Sequence, residues 1–396
     1  MGDFVIQGNR IFFPKVVVGG PGPDDPWTEQ FFLTQTFGDN SDTRLGGEQN
    51  GHFVAGRTRL IYGAGSSDQS NPDRFIYIED KSGGTFTETF TLKGSTLGAT
   101  PFFFSSAIGA SDDGTVVASA NYTSGGGGSV DELFIFEQGA GSPEWTETIV
   151  PGPGGTARYG RRCDISGDGS TIAVGHQGFE IYVYRKNPNW TLVETINPGP
   201  FHSAGFQSIS GDGSVIVTGL NNATVGGWSV WRETSANNWT LEQDFPAVGV
   251  NGAASGNPAI NRAGTLIAVG DSEGDSGGFT NNGSVELYEY NGSTWDYVTQ
   301  FTGPSNSARY GGDIALTDDV LVINTNESGN TGAVIYTKDE NDNWNFAQQV
   351  RVGSPAQPDV ITDVNISADG RGVILTSRNV DVPSSNAGIV VAYESN

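Results

Sequence analysis

Cys163 is the only cysteine among 396 residues, so an internal disulfide framework is excluded. A chain of this length buries enough apolar surface to fold without cross-links or a structural metal. Histidine is nearly as scarce. His52, His176 and His202 lie far apart and show no metal-ligand spacing, so no metal or other cofactor is expected. Positive charge is short too: 20 Lys and Arg stand against 45 Asp and Glu, a formal charge of −25. Nucleic acid is bound largely by neutralising phosphates and anionic lipid by basic clusters, so neither is an expected partner. No apolar run approaches the roughly 20 residues of a membrane-spanning helix, and no membrane insertion is expected. Residues 1–10 lack the basic start and apolar stretch of a secretion leader, so none is expected.

Glycine is abundant, at 58 residues, accompanied by many Asn, Ser, Thr and Asp. This is the make-up of short strands joined by tight turns that need positive φ. Aromatic residues, at 11%, are too frequent for a disordered chain. Trp145, Trp190, Trp239, Trp295 and Trp344 recur about every fifty residues. Each opens a segment of alternating polarity, as in Trp190-Thr-Leu-Val-Glu-Thr-Ile. About twenty residues upstream lies a second recurring block. Its clearest copies are Ile165-Ser-Gly-Asp-Gly-Ser-Thr-Ile-Ala-Val-Gly175 and Ile209-Ser-Gly-Asp-Gly-Ser-Val-Ile-Val-Thr-Gly219. Asp-Gly between two apolar runs marks a hairpin. A third, aromatic strand follows, as at Glu180-Ile-Tyr-Val-Tyr184.

Each unit therefore reads as four antiparallel strands, and such units arranged in a circle make propeller blades. Full units are expected over about 47–92, 101–150, 155–197, 201–245, 252–302 and 306–350, with Phe86 replacing Trp in the first. The last unit, 359–396, has three strands, and the missing fourth is expected from Trp27-Thr-Glu-Gln-Phe-Phe-Leu-Thr-Gln-Thr-Phe37. The expectation is an all-β, seven-bladed β-propeller over 27–396, closed by an N-terminal strand that completes the C-terminal blade. Residues 1–26 read as an arm or connector; a strand within 4–18 would leave six or eight blades open.

At Tyr159-Gly-Arg-Arg-Cys-Asp-Ile165 and at Tyr310-Gly311 followed by Asp313-Ile-Ala-Leu, the chain resembles the FG-GAP repeats of integrin-α-like propellers. That resemblance implies a propeller. Integrin-like blades often hold calcium in a loop of several aspartates. Here the hairpin carries one Asp and small residues, too few oxygen ligands for a dedicated site, so no metal is carried over. The Gly-His and Trp-Asp pairs of WD repeats are missing from the corresponding positions.

Propeller ligands usually sit at one mouth of the axial channel. Among few cations, Arg158, Arg161, Arg162 and Arg309 fall in loops assigned to that face, with Tyr159, Tyr310 and His202 nearby. Arginine would supply forked donors to an anion or sugar, and tyrosine a stacking face. The competing reading has the Tyr-Gly pairs packing blades and the arginines paired with local acids. No nucleophile-elbow motif supports a catalytic triad. The expected function is a non-enzymatic structural or adhesive propeller in an extracellular particle, with a virion such as a phage tail foremost. It would bind other protein subunits and surface glycans. A lectin using loops 121–131 and 271–284, or a polysaccharide-degrading enzyme, is the alternative.

Overall fold

The computed structural model describes residues 5–7, 10–12, 27–34, 43–45, 51–66, 75–95, 104–105, 107–121, 131–141, 144–153, 159–176, 180–197, 207–220, 227–246, 258–327, 330–351, 363–377 and 389–395. They form seven antiparallel sheets, which are the blades of a seven-bladed propeller. Five sheets have four strands, one has five and one has six. Blade 3 is typical. Its inner strand Tyr159–Ile165 turns into Thr171–His176, then Ile181–Lys186, and ends at the outer strand Trp190–Ile196. The second strand is buried along its whole length because both its faces meet neighbouring blades. The outer strand is buried only at Trp190 and Ile196 and is exposed or half-buried between them.

The core is divided by the repeat. Seven apolar clusters lie one at each junction between successive blades, including the junction of blade 7 with blade 1. The aromatic residue opening each outer strand explains the fifty-residue period. Phe86, Trp145, Trp190, Trp239, Trp295, Trp344 and Trp27 each pack back into the cluster shared with the preceding blade. One sheet cannot bury both faces alone, and this ring buries them all.

Blade 7 is assembled as expected. Its strands Asp363–Ile366, Gly372–Ser377 and Ile389–Ser395 are completed by Trp27–Thr34 from the other end of the chain. Beyond that strand the sheet continues. Arg10–Phe12 pairs with it at Ile11 and Thr34, and Val5–Gln7 pairs with Arg10–Phe12. The N-terminal residues thus lengthen the seventh blade rather than adding an eighth. Thr43–Leu45 likewise pairs with the second strand of blade 1.

Candidate functional site

The hairpin between the first two strands of a blade repeats one set of bonds. Asp168 Oδ1 accepts from the Ser166 hydroxyl at 2.6 Å and the Ser170 amide at 2.9 Å. The Ser166 hydroxyl in turn accepts from the Thr171 amide at 3.0 Å. The same exchange joins Ser111 with Asp113, Ser210 with Asp212 and Ser367 with Asp369. Burial opposes the charge of these four aspartates, but the bonds from the turn outweigh it and hold each below the usual carboxylate range. Their oxygens are occupied by the turn itself, so the one acid of the motif is a backbone staple. The glycine that follows has positive φ in each copy and lies against the preceding blade. A Cβ on Gly213 would stand 2.6 Å from Thr171 Oγ1.

The Tyr-Gly pairs also join blades. Tyr159 is fully buried, its hydroxyl 2.7 Å from that of Tyr184, and burial pushes its phenol well above the usual range. Gly160, at φ 83°, lies against Ala120 of blade 2. Tyr310 is buried too, and Gly311, at φ 88°, lies against Gly270 of blade 5. Neither ring offers the stacking face expected of it. Arg162 is buried in the inner strand of blade 3, whereas Arg309 is exposed on blade 6. Arg158 and His202 lie outside the described residues, as does the Arg161 side chain. Cys163 is buried, and desolvation, helped by the nearby Asp164 charge, pushes its thiol far up, which leaves it unreactive.

The inner strands line an axial channel of about 80 Å³, to which all seven blades contribute. Its polar side chains hold neighbouring blades. Asp164 Oδ2 accepts from the Ile209 amide at 3.0 Å, Asp313 Oδ2 from Val364 at 2.6 Å and Asp363 Oδ2 from Gly51 at 3.1 Å. His52 Nε2 donates to the Ile108 carbonyl at 2.7 Å, which leaves Nδ1 to accept from Asn365. Burial pushes the Asp164 carboxyl up, with Arg262 opposing. At the turn end of the channel Arg262 of blade 5 reaches Asp112 of blade 2 at 2.6 Å, spanning the ring. Backbone bonds between turns, such as Asp168 N–H to the Gly211 carbonyl at 3.0 Å, tie the same rim. Sequence reading missed these channel acids. Their signal was an Asp directly before the β-branched residue of an inner strand, at 164, 313 and 363.

On the opposite face, the segments 272–283 and 303–312 are knitted together. Asn282 Nδ2 donates to the Gly303 carbonyl at 2.8 Å, and the Tyr310 amide donates to the Asn282 carbonyl at 3.0 Å. Asn281, Ser307 and Arg309 all have positive φ here, a strain that the surrounding bonds enforce. Phe279 is 40% exposed on this platform. Among the described residues no group of three or more His, Cys, Asp or Glu is arranged to hold a metal. No family model matches the chain, and no curated protein is significantly similar to it in sequence.

Proposed function

We propose that the chain is a structural, non-enzymatic propeller that works through protein–protein contact in an extracellular assembly, with a virus particle such as a phage tail as its setting. The observation that carries this reading is the use made of the polar residues at the axis. In enzymes and small-molecule binders of ring shape, the axial mouth must leave acids and amides available to a ligand. Here Asp164, Asp313, Asp363 and His52 hold neighbouring blades, and the Arg262–Asp112 pair spans the channel end. The result is a stiff ring whose outer surface is its working part. The Gly/Asn/Ser/Thr-rich composition and few cations suit an exposed particle component. We propose the likeness to FG-GAP repeats as one of blade architecture, carried by the Tyr-Gly pairs.

The test is cryo-electron microscopy and native mass spectrometry of the untagged protein purified from its source. Density for the propeller in a symmetric particle supports the reading. A free monomer that turns over a polysaccharide would overturn it. A second reading, glycan binding, is favoured by Phe279 and Arg309, both exposed on the knitted platform, since an aromatic face and a forked donor suit a sugar. Glycan-array binding abolished by Phe279→Ala would move that reading first.

A further inference from the structure

Six large apolar side chains are exposed among the described residues, and five lie on the outer strands of four consecutive blades. They are Leu192 on blade 3 (45%), Leu241 on blade 4 (46%), Tyr297 and Val298 on blade 5 (57% and 38%) and Phe346 on blade 6 (61%). Leu192, Leu241, Tyr297 and Phe346 occupy one structural position, the second residue after the opening Trp. Each pairs with an aromatic residue of the third strand next to a register shift: Tyr184, Trp231, Tyr288 and Tyr336. In the other three blades the same position holds Glu29, Glu88 and Glu147. The repeat supplies its own control, because blades 7, 1 and 2 keep the fold with a carboxylate there. The apolar arc is therefore not a folding requirement, and an exposed stripe of this kind marks an interaction surface.

We propose that this arc docks the N-terminal hairpin of a second copy of the chain, an inference that rests on the assembly reading above. Charge selects the occupant. The four outer strands carry Glu194, Asp244 and Asp296, besides Glu242, which Arg232 already pairs, and their one cation is Arg351 at the end of the last. The hairpin strands Val5–Gln7 and Arg10–Phe12 are mostly apolar and carry Arg10 with no acid. In a chain of −25, this contact is attractive where most others between copies would repel. The mode of contact already exists within one copy: Arg10–Phe12 extends the Trp-led outer strand of blade 7. Among the described residues Val5–Gln7 is the last strand of the sheet, and such a strand offers its edge to another. Hairpin and arc lie on different blades, so each copy has one of each. Such a heterologous contact builds rings or filaments rather than closed pairs.

The test uses sedimentation velocity of the full chain across concentration, with two full-length variants. Leu241→Glu with Tyr297→Glu installs the residue that three sister blades already carry. Ile6→Pro removes an N–H from the terminal strand, which lies outside the seven-bladed ring. Near-ultraviolet circular dichroism confirms the intact ring in both. The wild type is expected to form a concentration-dependent series, with each variant weaker by about tenfold or more. An equal mixture of the two variants should stop at dimers, since one supplies only a hairpin and the other only an arc. A wild type that stays monomeric overturns the proposal, as does a series unaffected by either variant or sensitive to only one. A monomer in isolation that still sits in a particle would remove this contact and leave the assembly reading standing.

Discussion

Asp271 ends the second strand of blade 5 with its side chain fully buried. Its Oδ1 accepts from the Glu273 amide at 3.1 Å, while Oδ2 has no hydrogen-bond partner among the described residues. Burial raises its pKa to about 6; the Glu273 and Gly274 amides oppose this, and the Glu273 and Asp275 charges add to it. A carboxyl with a raised folded pKa gives stability that is present below its ordinary value and is lost as pH rises through the folded one. The wild type should therefore lose stability between about pH 4 and 6 on this account. Asp271→Asn keeps the shape without the charge and should remove that loss. At pH 7 the variant is expected to be more stable by about 1–2 kcal/mol, after discounting for solvent screening, and near wild type at pH 4. Chemical denaturation at the two pH values checks this, and a variant that is less stable at both would show that the ionised form is needed. The hairpin aspartates have the opposite sign: Asp113, Asp168, Asp212 and Asp369 are held low, so their contribution is lost only as pH falls through those lowered values.

Among the elements, the strand Trp27–Thr34 decides whether the ring closes. The Gln348 side chain of blade 6 receives the Trp27 amide on Oε1 at 2.9 Å and donates from Nε2 to the Trp27 carbonyl at 3.1 Å. Gln243 of blade 4 clamps Trp295 of blade 5 in the same way, but there the joined strands are near in sequence. Gln348→Leu leaves both Trp27 backbone groups without that partner, at a cost of about 1–3 kcal/mol. Because Gln348 holds the strand that joins the two ends of the ring, hydrogen exchange across 27–34 should accelerate in Gln348→Leu, whereas Gln243→Leu should leave that segment protected. Equal protection in both variants would mean that packing of Trp27 alone closes the ring. The sequence made this strand legible because Trp27-Thr-Glu repeats the opening of the other outer strands. The junction packing of the Trp residues follows from the same period. The channel acids and the apolar arc were not legible in that way. Which blade an inner Asp reaches, and which outer-strand residue faces water after a bulge, depend on register between strands that no single repeat encodes. The mouth residues fall together by sequence position, yet Tyr159 and Tyr310 turn inward, because each precedes a glycine that brings its blade against the one before.

For the molecule as a whole, charge sets the balance between attraction and repulsion. Eight ion pairs join a described Lys or Arg to a described acid, most of them partly exposed and each worth about 0–1 kcal/mol. Against them stand 45 acids and a net charge of −25, whose mutual repulsion disfavours the compact state. Salt weakens both, but 45 acids face only 20 Lys and Arg, so repulsion is the larger effect to be screened. Raising sodium chloride from about 0.01 to 0.1 M shortens the screening length from about 30 to 10 Å. At pH 7 this should raise the melting temperature, by about 1 °C for each kcal/mol gained in a chain of this size. The gain should fade as pH approaches the isoelectric point of about 4.2, where the net charge vanishes. Two opposed trends then bound the optimum. Lower pH relieves the general repulsion and the buried charge of Asp271, until the hairpin aspartates begin to protonate. Stability should peak near pH 5. Scanning calorimetry over a grid of pH and salt measures both effects, and a melting temperature that falls with salt at pH 7 would mean that the ion pairs, not the excess negative charge, govern the ring.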